Sequence, residues 1–74
     1  MKTYYQIWVG DYFSDAELDS QYPKRSLADV KAREVSLSTD KDVWLVKHVD
    51  DYSDMGCDWY RDLYKNGKRI ERYY

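Results

Sequence analysis

Cys57 is the only cysteine in this chain of 74 residues, so no internal disulfide can form. No Cys/His cluster offers a structural zinc site either. A lone thiol fits a reducing compartment, which points to the cytoplasm. No stretch approaches the roughly 18 consecutive apolar residues of a membrane span. Met1 leads directly into an amphipathic strand pattern, without the basic and then apolar segment of a secretory leader, so a soluble protein with no membrane partner is expected. The three glycines, Gly10, Gly56 and Gly67, stand apart, which excludes a glycine-rich phosphate loop. Histidine is equally scarce. His48 lies on a half-exposed strand pattern and Cys57 in a polar loop, and no nucleophile signature surrounds either. A non-enzymatic protein without cofactor or metal is therefore expected.

A chain this short forms one domain, residues 1–74, and buries only about 60% of the surface its unfolded form exposes. Aromatic side chains compensate, because each buries a large area: there are three tryptophans, nine tyrosines and one phenylalanine. So many rings exceed what a core of this size holds, and several are expected at the surface. Net charge is −2 but unevenly spread. Residues 1–58 hold seven Lys/Arg against twelve Asp/Glu, giving −5, whereas residues 59–74 hold five against two, giving +3. The result is a dipolar molecule without the broad basic footprint of a nucleic-acid binder.

Asn66-Gly67 is the strongest local signal, because both central residues of a type I′ turn need positive φ. A two-residue loop sets Lys65 opposite Lys68, Tyr64 opposite Arg69, Leu63 opposite Ile70, Asp62 opposite Glu71, Arg61 opposite Arg72 and Tyr60 opposite Tyr73. One face of this hairpin then carries Leu63 and Ile70, expected in the core, and the other Tyr60, Tyr64 and Tyr73, expected in solvent with Arg69. Upstream, Thr3 to Phe13 alternates as a first strand, with Tyr5, Ile7 and Val9 on one side and Tyr4, Gln6 and Trp8 on the other. Ser14 to Lys24 is polar and reads as a connecting loop with at most one helical turn. Ser26 is a good N-cap and Asp29 completes a capping box, so a helix is expected to about Ser36, burying Leu27, Ala28, Val30, Ala32 and Val35. Val43 to Val49 forms a β-branched strand with Leu45 facing the core and Trp44 outside.

The expected fold class is α+β: an antiparallel sheet of about four strands in β-α-β-β-β order, with one helix packed on one face. The other face has no covering element and displays Tyr4, Trp8, Trp44, Tyr60, Tyr64 and Tyr73, interleaved with Gln6, His48 and Arg69. The acidic loop Asp50 to Asp58 resembles a calcium loop only superficially, because Met55 takes a ligand position and strand patterns flank it. Its carboxylates suit Lys or Arg on a partner instead. Trp44, Tyr60, Tyr64, Arg69 and Tyr73 match the residue types of interface hot spots, with Asp50, Asp51 and Asp54 steering association by charge. Protein binding is the favoured reading. A single-stranded nucleic-acid module using the same aromatic and basic hairpin face is the alternative, disfavoured by the −5 body. A third reading closes a homodimer through the outer face.

Two stretches, Ser26-Leu27-Ala28-Asp29-Val30-Lys31-Ala32 opening a helix after one strand, and Leu63-Tyr64-Lys65-Asn66-Gly67-Lys68-Arg69 closing the domain, carry a family resemblance. In them the chain resembles small phage-encoded proteins, among them anti-CRISPR inhibitors of type I effector complexes. That resemblance implies a compact sheet-and-helix domain that binds a host protein or nucleoprotein complex in the host cytoplasm and blocks its nucleic-acid site. It implies a contact surface of acidic loops and outer tyrosines. The net acidity departs from relatives that use basic patches.

Overall fold

A computed structural model of the chain describes residues 2–50 and 56–74. Five strands and one helix follow in the order β1 (Lys2–Gly10), β2 (Glu17–Tyr22), α1 (Arg25–Ser38), β3 (Asp42–Asp50), β4 (Cys57–Lys65) and β5 (Lys68–Tyr73), with a 3-10 turn at Phe13–Asp15. The strands form one antiparallel sheet in the order β2-β1-β3-β4-β5, and α1 covers one face. The class is the α+β expected, with one strand more. Glu17–Tyr22, expected as a loop, is the edge strand β2: Tyr5 pairs with Tyr22 and Val9 with Glu17, and a register shift falls between Ile7 and Trp8. An edge strand needs only one partner and tolerates charged side chains, so Glu17 and Asp19 do not prevent it.

The β1 and β3 faces are those that the alternation predicts. Ile7, Val43 and Leu45 are fully buried beneath α1, and Tyr5 and Val9 pack against them. Each such aliphatic contributes about 1.5–3 kcal/mol through removal from water. The helix seats itself by its smallest side chains. Ala28, Ala32 and Ser36 recur every fourth residue and are buried, whereas Leu27 and Val30, expected in the core, are 51% and 63% exposed. Small side chains let the helix approach the sheet closely, which leaves room for the ring of Tyr64 in the core cluster. Ser26 does not cap the helix. Lys24 holds the N-cap position without a side-chain hydrogen bond, and Asp29 turns instead toward Tyr64 and Arg33.

The turn at Asn66-Gly67 has the predicted conformation, φ +53° and +79°. It is tied to the helix: the Gly67 N–H donates to Ser36 Oγ (2.8 Å), and Arg33 Nη1 donates to the Gly67 carbonyl (3.1 Å). Beyond two pairs the expected hairpin register fails. Tyr64 faces Arg69, but Leu63 faces Glu71, Asp62 faces Arg72 and Arg61 faces Tyr73, with Ile70 as the extra residue of a bulge. The expected faces of β4 are also reversed. Asp62 and Tyr64 lie fully buried on the helix side, Leu63 falls on the opposite side across from Trp44, and Ile70 is 57% exposed.

That opposite face is not bare. The turn at Phe13–Asp15 folds Phe13 onto it, 5.6 Å from the Trp44 ring and 6.2 Å from Trp8, and the Arg61 guanidinium stacks 4.3 Å from Phe13. Trp44, expected as an exposed anchor, is only 7% exposed, and Val46 beside it is buried. Gly10 makes this fold-back possible, because a Cβ there would lie 2.6 Å from Ala16 Cα. No helix among the described residues is long and apolar enough to cross a membrane.

Candidate partner-binding site

The residues at the junction of α1, β4 and β5 are held by one buried carboxylate. Asp62, opposite Leu45 on β3, is fully buried and still ionised. Burial pushes its pKa up, but hydrogen bonds from Arg72 and Arg25 outweigh that and hold it below the usual carboxylate range. Arg72, its partner across the hairpin, binds it bidentately, Nε to Oδ1 at 2.7 Å and Nη2 to Oδ2 at 3.1 Å. Arg25, the first residue of α1, donates from Nη2 to Oδ2 at 2.8 Å. Arg69 stands at ion-pair range, 3.7 Å from Oδ1. A carboxylate with this many charge-assisted donors is a fixed anchor for side chains that would otherwise be mobile.

Tyr60 extends the cluster. Its hydroxyl accepts from Arg25 Nη1 at 3.2 Å, and its ring lies 3.9 Å from the Arg72 guanidinium and 5.7 Å from that of Arg25. Lys47 of β3 bridges outward, its Nζ 4.7 Å from the Trp59 ring centroid and 6.0 Å from that of Tyr60. Trp59 itself is 52% exposed. Trp59 owes this position to a register shift in the β3–β4 pairing, where Lys47 pairs with Tyr60 and His48 with Asp58. Arg25, Arg69 and Arg72 keep 30–44% of their side-chain surface in water. The result is a half-exposed strip of guanidinium and aromatic groups, assembled from four elements on the helix side of the sheet.

Behind it, the Tyr64 hydroxyl donates to Asp29 Oδ1 at 2.5 Å, and Arg33 Nε donates to Asp29 Oδ2 at 3.0 Å. Burial and the adjacent carboxylate together push the Tyr64 phenol far above its ordinary pKa, so it stays a neutral donor. At Asp29 burial works upward, and the bonds from Tyr64 and Arg33 prevail to leave its pKa lowered.

Of the residues expected to contact a partner, Tyr60 and Arg69 meet in this strip. Tyr64 is buried beneath it and presents no surface. Trp44 and Tyr73 lie on the other side of the sheet, 5.7 Å apart, with Trp44 buried and Tyr73 37% exposed. Asp50 ends β3 in solvent, and Asp51 and Asp54 lie outside the described residues. Arg25, Lys47, Trp59, Asp62 and Arg72 were not singled out from the sequence. The bulge at Ile70, which brings Arg72 opposite Asp62, has no signal in the residue pattern, and Arg25 meets Asp62 only through the packing of the helix. Among the described residues no three of His, Cys, Asp and Glu converge as metal ligands.

The fold and strip define a small α+β domain with a charged, aromatic surface. No family model, curated protein or solved structure matches the chain.

Proposed function

We propose that this domain is a non-catalytic protein-binding module, and that the strip of Trp59, Tyr60, Arg25, Arg69 and Arg72 is its contact surface. The observation that carries the reading is composition combined with preorganisation. Tryptophan, tyrosine and arginine dominate interface hot spots, and here the buried Asp62 fixes two of the guanidiniums before any partner arrives. The particular form that the phage resemblance suggests is an inhibitor of a host protein or nucleoprotein complex, acting in the host cytoplasm, with Asp50, Asp51 and Asp54 as a second, oppositely charged contact. Cys57, exposed and unpaired, fits that reducing setting.

Single-stranded nucleic-acid binding is the second reading, favoured by the Lys47 ammonium beside an exposed Trp59. It is weakened by the guanidinium already covering Tyr60, which leaves one ring rather than a platform for stacked bases. Affinity capture from a bacterial lysate with tagged protein, with and without nuclease, separates the two. The expected result is a stoichiometric protein partner that survives nuclease and is weakened about tenfold or more by Trp59→Ala. Material that disappears with nuclease overturns the protein-binding reading.

A further inference from the structure

We propose that the Arg25, Arg69 and Arg72 cluster is a receptor for side-chain carboxylates on an acidic segment of the protein partner. The inference rests on the protein-binding reading above and adds the chemistry of what is bound. Three guanidiniums bring five N–H donors each. Among the described residues Arg25 Nη1 and Nη2 and Arg72 Nε and Nη2 bond Tyr60 and Asp62, and Arg72 also meets the Tyr74 side chain. Arg69 reaches Asp62 only at 3.7 Å and makes no side-chain hydrogen bond among the described residues. Among the described residues one carboxylate thus leaves the cluster two charges in excess, before Lys47 is added, on side chains that are 30–44% exposed.

Such a site binds a second carboxylate by the same fork geometry that Arg72 shows toward Asp62. A guanidinium already oriented loses little freedom when a second acceptor arrives. A continuous phosphate strand fits less well. The cationic strip is short, and residues 1–58 sum to −5. A compact acidic segment meets the excess charge without crossing that acidic surround.

The test is fluorescence anisotropy of fluorescein-labelled hexaglutamate and of a labelled decathymidylate, titrated with the intact protein at low salt. Arg69→Gln is the informative variant, because Arg69 does not hydrogen-bond Asp62 and its loss leaves the anchor intact. Lys68→Gln, an equal loss of charge in the same strand, is the control. Hexaglutamate should bind, Arg69→Gln should weaken it about tenfold, and Lys68→Gln should change it less than about twofold, with both variants melting within a few degrees of the parent. Absence of hexaglutamate binding, equal losses in the two variants, or tighter binding of decathymidylate would each overturn the proposal. A partner captured from lysate that binds Arg69→Gln as well as the parent overturns the carboxylate receptor and leaves the protein-binding reading standing.

Discussion

Replacing Asp62 by asparagine keeps the shape of the side chain and removes its charge from among three guanidiniums. Three charge-assisted bonds, from Arg25 at 2.8 Å and Arg72 at 2.7 and 3.1 Å, become neutral or are lost. A hydrogen bond to a charged group contributes about 1.5–3 kcal/mol and a neutral one about 0.5–1.5, so the three lose about 1 kcal/mol each. The new amide N–H groups also face guanidinium donors. Rehydration limits the damage, because the arginine side chains are about a third exposed. A net loss of about 3 kcal/mol is expected. At roughly 0.05–0.15 kcal/mol per residue a domain of this length holds only about 4–11 kcal/mol in all. The variant should therefore fold, with its thermal midpoint lowered by about 12–24 °C. Urea denaturation followed by circular dichroism measures the loss, and repeating it from pH 7 to pH 3 tests the cause. Asp62 has a folded pKa below its unfolded value of about 3.9. Its contribution is thus present above pH 4 and disappears as pH falls through the folded pKa. The parent should lose stability below about pH 4 more steeply than Asp62→Asn, which keeps the same-signed contribution of Asp29. A loss under about 1 kcal/mol at neutral pH, or identical acid profiles, would refute the account of Asp62 as the anchor of the strip.

Tyr64→Phe keeps the buried ring and deletes the donor to Asp29, so it should cost about 1–2 kcal/mol in urea denaturation, far below the roughly 3–5 kcal/mol of Tyr64→Ala. Gly10→Ala drives a methyl into Ala16 and should lift the turn at Phe13–Asp15 off the sheet, at about 1–3 kcal/mol. Its readout is a red shift of tryptophan fluorescence as Trp44 becomes hydrated; an unchanged spectrum counts against the fold-back. Ala32→Leu should destabilise by about 1–3 kcal/mol through overpacking, whereas Val30→Gln on the exposed side of the same helix should stay within about 0.5 kcal/mol. Equal melting temperatures for those two would contradict the orientation of α1.

Much of this architecture is legible in the residue order. The Asn66-Gly67 turn follows from backbone sterics, and the inward sides of β1 and β3 follow from aliphatic alternation. The polar edge strand β2 escaped because its pairing depends on the exposed backbone of β1 rather than on apolar side chains. On the helix the periodicity places Ala28 and Ala32 inside correctly, but close approach to the sheet selects Ser36 as the third contact and leaves Leu27 and Val30 outside. On β4 the ordinary preference for burying leucine before aspartate misleads. Asp62 is buried because guanidiniums from the start of the helix and from the last strand reach it, and no local pattern encodes such a meeting. For the same reason only Tyr60 and Arg69 of the strip were legible, as an aromatic and a base near a hairpin, while Arg25 and Arg72 were not.

The order of the sheet has a consequence for how the chain assembles. β1 with β2, and β3 with β4 and β5, are each joined by neighbours in sequence, and the β1–β3 seam from Lys2↔Asp50 to Gly10↔Asp42 is the single pairing that spans the helix. That seam carries Ile7 against Leu45 and Val9 against Val43, and α1 lies across it. Closing so long a loop is the slow step in bringing non-local strands together. The molecule is thus two sequential pieces joined by one strand pairing and by the helix laid over it. A break in the chain between Ser38 and Asp42 would leave each piece with its own strands, to reassociate through that seam and through the bonds of α1 to Asp62, Tyr64 and Gly67, which makes the domain a natural scaffold for a split reporter.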